Sequence, residues 1–274
     1  MLLALLILVK NNFRPSLVPC LLSLVSLILS LLSRETAVIF PLLLMVFYIS
    51  FVSRERFLKS VKSAFIKTLP YFGVVFIYGI LRLTILNFEN TLNFYSRSNL
   101  YTESFLARMY TFLNVLWTYA GIIILPLGQH MERSVTIYTY FWNVPTLTSL
   151  IVLLGIIWVL RHFYKKENPK HEARNTKQIQ NSKSQIQNVS NFDIRISDFR
   201  IWTFGAGWFF VNLLMTSGIT PINAQLYEHW LYLALLGPLV LVIFYTNKQF
   251  ARPRPSRGEA GEKSGKSVKY LILI

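Results

Sequence analysis

Long apolar runs, at residues 17–32, 37–52 and 230–245 among others, alternate with short polar or basic stretches along this chain. A helix of about 20 apolar residues crosses the hydrocarbon core of a bilayer, which is about 30 Å thick. Apolar residues make up 53% of the chain and charged residues 15%, whereas a soluble domain has about 25% charged residues. The pattern therefore predicts an all-α, polytopic membrane protein and excludes a soluble globule, a disordered chain and a disulfide scaffold.

The net charge of +16 comes mainly from basic residues that cluster at residues 10–14, 54–67, 161–200 and 248–269. Cytoplasmic loops of membrane proteins have such an excess of Lys and Arg, as the positive-inside rule describes. No compact basic domain accompanies the charge, so we expect no nucleic-acid partner. The expected partner is the lipid bilayer of the inner (cytoplasmic) membrane.

Six full crossings follow when the four basic clusters are placed in the cytoplasm. A helix of about 17 residues spans about 26 Å, which suffices for a slightly thinned bilayer. In this topology Glu35 and Glu228 lie on the outer side. The predicted crossings are residues 17–33, 36–52, 70–87, 146–163, 201–218 and 230–246.

Residues 105–127 form a further apolar segment, but a crossing there would place the basic loop 164–200 outside the cell. The segment contains Arg108 and Asn114 and ends at Pro126. We therefore predict a re-entrant or surface-lying helix, whose polar groups are covered by protein or by a watery cavity. The alternative is a seventh crossing with a translocated basic loop.

The chain divides into four regions. Residues 1–163 contain membrane helices with outer loops, and 201–246 form a membrane helical hairpin. Between them, 164–200 form a basic low-complexity cytoplasmic loop in which the sequence of residues 178–181 recurs at 185–188. Residues 247–274 form a basic linker and the start of a truncated helix. Since residues 1–9 give only about 13 Å of helix, we expect partial helices at both ends and a fragment of a longer protein.

Ionisable residues at membrane depth or at the rim of an outer cavity are the candidates for function. Glu35 follows Arg34 in a short turn at the hydrocarbon boundary. It either orients a phosphate-binding arginine or simply marks the interface. Arg82 lies within an outward helix near its outer end. Its guanidinium suits bidentate phosphate binding, and the alternative is a side chain that snorkels to the surface.

Glu228 and His229 open the last full helix, within the aromatic-rich stretch 227–232. They form either a binding rim or part of an ordinary interfacial aromatic belt. Because adjacent residues on a helix point in different directions, the two side chains need not share a site. Neither metal-ligand spacing, nor a nucleophile elbow, nor a phosphate-binding glycine loop occurs in the sequence, so we predict no metal and no cofactor.

Three motifs resemble the polytopic GT-C glycosyltransferases, in particular bacterial relatives of the transmembrane-and-tetratricopeptide-repeat O-mannosyltransferases. Residues 31–41, Leu-Leu-Ser-Arg-Glu-Thr-Ala-Val-Ile-Phe-Pro, resemble the family's Leu-Ser-Lys-Glu-Thr-Ala…Pro helix junction. Residues 108–127 are similar to a segment that ends in Leu-Pro, and 220–233 resemble a Pro…Glu-Arg-Tyr-Leu-Tyr-Leu-Pro junction. Arg82 falls where an intramembrane arginine is common. The resemblance covers residues 15–246, with gaps.

The resemblance implies an enzyme that moves a sugar from a polyprenyl-phosphate donor to an unknown acceptor at the outer face. Arg82 would bind the lipid phosphate and Glu35 would orient it. The other predicted substrate-binding residues are Arg108, Glu228 and His229.

The family's catalytic acid usually lies in the first outer loop, which would precede Met1, so the catalytic residue is unknown. Arg34 replaces the usual lysine and His229 the usual arginine, and the repeats that often follow are missing. Three alternatives stay open: an O-antigen ligase or polymerase-like protein, a transporter, and a non-catalytic membrane remnant.

Overall fold

The structure is a computed structural model that describes residues 1–11, 13, 16–53, 55–84, 100–128, 130, 133, 135–181, 198–219 and 226–250. Every regular element in this part of the chain is helical, which confirms the predicted all-α class. The second copy of the 178–181 repeat, the linker from residue 251 and residues 220–225 of the third motif lie outside the described residues.

Ten α-helices follow one another in the described residues, with four short 3₁₀ or π turns between them. The helices are α1 (Leu2–Lys10), α2 (Leu17–Ser33), α3 (Phe40–Phe47), α4 (Phe57–Thr84), α5 (Leu100–Glu103), α6 (Phe105–Ile124), α7 (Val144–Asn181), α8 (Asp198–Asn212), α9 (Leu231–Ala234) and α10 (Leu236–Phe250). The 3₁₀ turns are Glu35–Ile39, Leu213–Thr216 and Glu228–Trp230, and the π turn is Tyr48–Val52.

Three helical segments of the described chain are long and apolar enough to cross a membrane: Glu35–Val52, Phe57–Thr84 and Val144–Lys165. Glu228–Ala234 and Leu236–Lys248 make a fourth if the two pieces, bent by 47°, form one span. α2 is apolar but has only 17 residues. The structure thus supports membrane helices, while the six crossings stay a prediction.

Two helices extend beyond the boundaries expected from the sequence. α4 begins at Phe57 rather than at residue 70, because a buried stripe at helical spacing, Ser60, Ala64 and Thr68, continues through the lysine-rich stretch. α7 continues to Asn181, so the first half of the predicted loop 164–200 is helical. Its Lys, Gln and Arg residues have high helix propensity, so this stretch is helical although it has no apolar face.

Buried apolar residues form three clusters that join the helices. The first joins α1, α2 and α4 around Leu27, Leu31 and Tyr71. The second lies between α3 and α8, around Leu43 and Trp208. The third joins α6 to the segments that flank residues 220–225, and its buried members are Val115, Tyr119, Leu213, Leu226, Leu231 and Ala234.

The three segments of membrane-spanning length, α8 and the α9–α10 hairpin pack side by side in alternating directions. The described bundle therefore has two distinct ends. At one end, the Phe57 ring packs on Tyr164 and Phe199, with centroids 6.0 and 5.5 Å apart. Lys248 Nζ lies 2.7 Å from Asp198 Oδ1 at the same end. We call this the basic end, after its excess of Lys and Arg. The other end contains residues 34–36, 82–84, 213–219 and 226–230, and we call it the Arg82 end.

α6 packs against α7 and also contacts chain segments at the Arg82 end. Ser104 caps its first turn by accepting a hydrogen bond from the Ala107 N–H at 3.3 Å. Along its length, Arg108 Nε donates to Gly218 O at 2.7 Å, and Tyr119 OH donates to Tyr227 O at 3.0 Å. Gly218 follows α8 and Tyr227 precedes α9. Arg108 and Tyr119, about 16 Å apart along α6, therefore join this helix to both of these chain segments.

Candidate functional site

Arg82 and Glu35 form an ion pair at the Arg82 end, although they are 47 residues apart in sequence. Arg82 Nη2 donates to Glu35 Oε1 at 2.5 Å, and Nη1 donates to Tyr78 OH at 3.0 Å. Tyr78 lies one turn earlier on the same helix, where an i, i+4 contact is expected. The Arg82 side chain is 13% exposed and the Glu35 side chain 52%. The guanidinium is thus held in one orientation by two partners.

The local fold brings these two residues together. α2 ends at Ser33, and Arg34 adopts an extended conformation with φ −148° and ψ 130°. This reverses the chain, so that Glu35 opens the 3₁₀ turn that leads into α3. Both α2 and α3 pack against α4, which ends two residues after Arg82. The Glu35 carboxylate therefore reaches the last turn of α4 from the junction between α2 and α3.

Arg108 occupies a different position, at the start of α6. Its side chain is buried, and it donates to two backbone carbonyls, from Nε to Gly218 O at 2.7 Å and from Nη1 to Tyr101 O at 3.1 Å. Carbonyl partners offset the cost of burying a guanidinium. These contacts join α5, α6 and the turn after α8. The predicted role of Arg108 in substrate binding stays a prediction.

Glu228 is paired with Arg133, a residue to which the sequence assigned no role. Arg133 Nε donates to Glu228 Oε1 at 2.6 Å, and Nη2 donates to Gly128 O at 2.5 Å. The Glu228 side chain is 11% exposed and that of Arg133 27%. This pair is more enclosed than Glu35–Arg82, and it joins the irregular segment after α6 to the start of the last hairpin.

His229 does not share the partner of Glu228. Its ring lies against Tyr227 and Trp230, with centroids 5.0 and 5.8 Å away. The structure thus separates the five predicted residues into the Glu35–Arg82 pair, the Arg108 contacts, the Glu228–Arg133 pair and the aromatic group around His229.

A cavity of about 250 Å³ lies between α6 and the segment that follows it. Its wall contains Asn114, Trp117 and Thr118, which share one face of α6, and Arg133 from the Glu228 pair. Thr136 and Tyr138 add two further hydroxyl groups. The cavity therefore combines an indole ring, three hydroxyl groups, an amide and a guanidinium.

Asn114 in this wall is 4% exposed. Its Nδ2 donates to Tyr110 O and Thr146 Oγ1, each at 2.9 Å, and to Asn143 Oδ1 at 3.3 Å. Two of these partners can only accept hydrogen bonds, which fixes the amide orientation. Its Oδ1 is buried without a partner in the described part of the chain. Such an atom marks an incomplete polar network.

Sequence reasoning missed this cavity because four of its nine wall residues, Arg133, Val135, Thr136 and Tyr138, lie in irregular chain without a periodic pattern. The one available signal was the charged pair Glu132-Arg133 shortly after Pro126. Among the described residues, no group of three or more His, Cys, Asp or Glu side chains could hold a metal ion. Comparison of the chain with protein-family models, with curated proteins and with solved structures finds no match.

Proposed function

We propose that the chain is a multi-pass protein of the inner membrane, with its Arg82 end facing outward and its basic end in the cytoplasm. The excess of Lys and Arg at the basic end supports this orientation through the positive-inside rule. In this proposal residues 105–127 remain a re-entrant or surface-lying segment, and Arg108 and Asn114 donate hydrogen bonds to protein groups rather than to lipid.

The proposed function is glycosyl transfer from a polyprenyl-phosphate-linked sugar at the outer face, with Arg82 as the phosphate-binding residue. The observation that supports it most directly is the Arg82–Glu35 ion pair. An arginine in a helix that faces lipid costs about 2.5–3.5 kcal/mol on insertion scales, so a partner is needed. Glu35 supplies one, and its exposed carboxylate leaves the pair accessible to a lipid phosphate at the membrane boundary.

The cavity beside α6 supports the sugar part of this proposal. A cavity of about 150 Å³ holds a benzene-sized ring, so the 250 Å³ found here suits one sugar ring. Hydroxyl groups and an indole ring match the polar and apolar faces of a sugar.

The test is binding of polyprenyl phosphate to the full chain in lipid nanodiscs, compared with the matching polyprenol that lacks phosphate. We expect the wild type to prefer the phosphate. Arg82→Lys should weaken binding about tenfold, because an ammonium cannot form the bidentate fork. Arg161→Lys, an exposed residue at the other end of a spanning helix, is the matched control and should have no effect. Equal binding of the two lipids, or unchanged binding by Arg82→Lys, would contradict the proposal.

A further inference from the structure

A polar stripe runs along α4 at the basic end, beside the buried face of the helix. Lys59, Ser63 and Lys67 are spaced at i, i+4 and i+8, so they share one face. Both lysines are exposed and Ser63 is half-buried. Ser60 and Ala64 on the neighbouring face are buried against the rest of the protein. The fold thus leaves the two lysines of the stripe uncovered.

Tyr48, at the start of the π turn, lies beside this stripe. The Lys67 Nζ is 4.8 Å from the centre of the Tyr48 ring, a cation–π distance. The Tyr48 OH lies 3.3 Å from Ser63 Oγ. Tyr48 is 6% exposed, so the ring is fixed by packing. The Tyr48 and Ser63 hydroxyl groups are therefore held beside the Lys67 ammonium group.

The length of α4 places this stripe at the membrane boundary opposite Arg82. The helix has 28 residues, about 42 Å, whereas the hydrocarbon core is about 30 Å or about 20 residues thick. Counting back from Arg82, the core ends near Lys62 and Ser63. Lys59 then lies among the headgroups, and Lys67 reaches them by snorkelling.

Exposed apolar side chains alternate with these lysines. Leu58 is 76% exposed, Phe65 49% and Ile66 58%. A surface that combines such side chains with ammonium groups matches a phospholipid, because its acyl chains contact the apolar residues while its phosphate contacts the lysines.

We infer that Lys59, Ser63, Lys67 and Tyr48 form a binding site for the phosphate headgroup of an anionic phospholipid in the leaflet at the basic end. The lysines supply the charge, and the Ser63 hydroxyl donates a hydrogen bond to a phosphate oxygen while it accepts one from the Tyr48 OH. The site goes beyond the proposed function and shares no residue with the Glu35–Arg82 pair.

The experiment is native mass spectrometry of the full chain extracted from nanodiscs that contain equal amounts of phosphatidylglycerol and phosphatidylcholine. The wild type should retain phosphatidylglycerol preferentially. Lys59→Gln with Lys67→Gln should lower this enrichment at least about fivefold, since one basic residue near an anionic surface contributes about that factor. Lys59→Arg with Lys67→Arg preserves the charge and should restore most of the enrichment.

The matched control is Lys62→Gln with Lys165→Gln, which removes the same charge from exposed positions off the stripe. Its enrichment should stay near that of the wild type. Equal losses in the two double variants would mean diffuse charge attraction and would overturn the site, as would a wild type without lipid preference. Lys59→Gln with Lys67→Gln should leave the preference for polyprenyl phosphate unchanged, because both lysines lie at the opposite end of α4 from Arg82, so this test and the polyprenyl phosphate test fail independently.

Discussion

The two ends of the bundle use charge in opposite ways. At the Arg82 end, two arginines are paired with acids from distant parts of the chain, Arg82 with Glu35 and Arg133 with Glu228. At the basic end, exposed lysines outnumber the acids, and Lys248–Asp198 is an exposed pair. Paired, oriented charges can bind a specific group, whereas unpaired exposed charges suit the headgroup layer of a membrane.

The aromatic residues differ in the same way. At the basic end, rings from three helices stack in a row, with Phe163 6.3 Å from Trp202 and Trp202 Nε1 donating to Tyr245 OH at 2.8 Å. Such a row is typical of an interfacial aromatic belt. At the Arg82 end, Trp117 borders the cavity and Tyr119 OH donates to the chain before α9. Aromatic residues there help to form a cavity rather than a belt.

The largest expected effect concerns which end faces outward. In a Cys20→Ser background, a cysteine at Ser33, which is exposed at the Arg82 end, should react with a membrane-impermeant maleimide in intact cells. A cysteine at Lys165, exposed at the basic end, should react only after permeabilisation. The reverse pattern would invert the comparison of the two ends and remove the basis for an outer phosphate site.

The sequence was enough to place Glu35 and Arg82 near one another, because both were assigned to the same boundary of adjacent helices. It also indicated an unusual role for residues 105–127, because Arg108 and Asn114 are costly in a lipid-facing helix. These inferences depend on local features, namely apolar length and isolated charge. Such features can be read without knowledge of the tertiary packing.

The Glu228–Arg133 pair and the cavity could not be predicted in this way. Arg133 lies in an irregular segment, and its partner is 95 residues away. The start of α4 could not be predicted either, because the lysine-rich stretch before residue 70 interrupts the apolar run, although Ser60 and Ala64 continue the buried stripe. Ion pairs between distant residues, and the first turns of an amphipathic helix, depend on tertiary contacts. The length of an apolar run in the sequence gives no information about such contacts.

α8 and α10 pack against each other between the two ends of the bundle, and they approach each other closely at Gly237. A Cβ at Gly237 would lie 2.4 Å from Gly205 O, a backbone atom that cannot move aside easily. Gly237→Ala should therefore destabilise the protein by about 3 kcal/mol, the upper range for overpacking, measured by thermal unfolding in detergent. Gly155→Ala, where a Cβ meets nothing within 4 Å, is the control and should be neutral or stabilising. Equal stability of the two variants would show that α8 and α10 are not packed this closely.

The smallest expected effects concern the three ion pairs, and their order sharpens the contrast between the ends. Glu228→Gln should lower the melting temperature most, because the Glu228 carboxylate is only 11% exposed and water replaces its bond to Arg133 least well. Glu35→Gln should lower it less, since the Glu35 carboxylate is 52% exposed. Lys248→Gln removes an exposed pair with Asp198 and should cost no more than about 0.5 kcal/mol, an effect that salt screens. Thermal unfolding at low and high salt measures all three. If Lys248→Gln proves the most damaging, the basic end depends on specific pairing as much as the Arg82 end does, and the distinction between them fails.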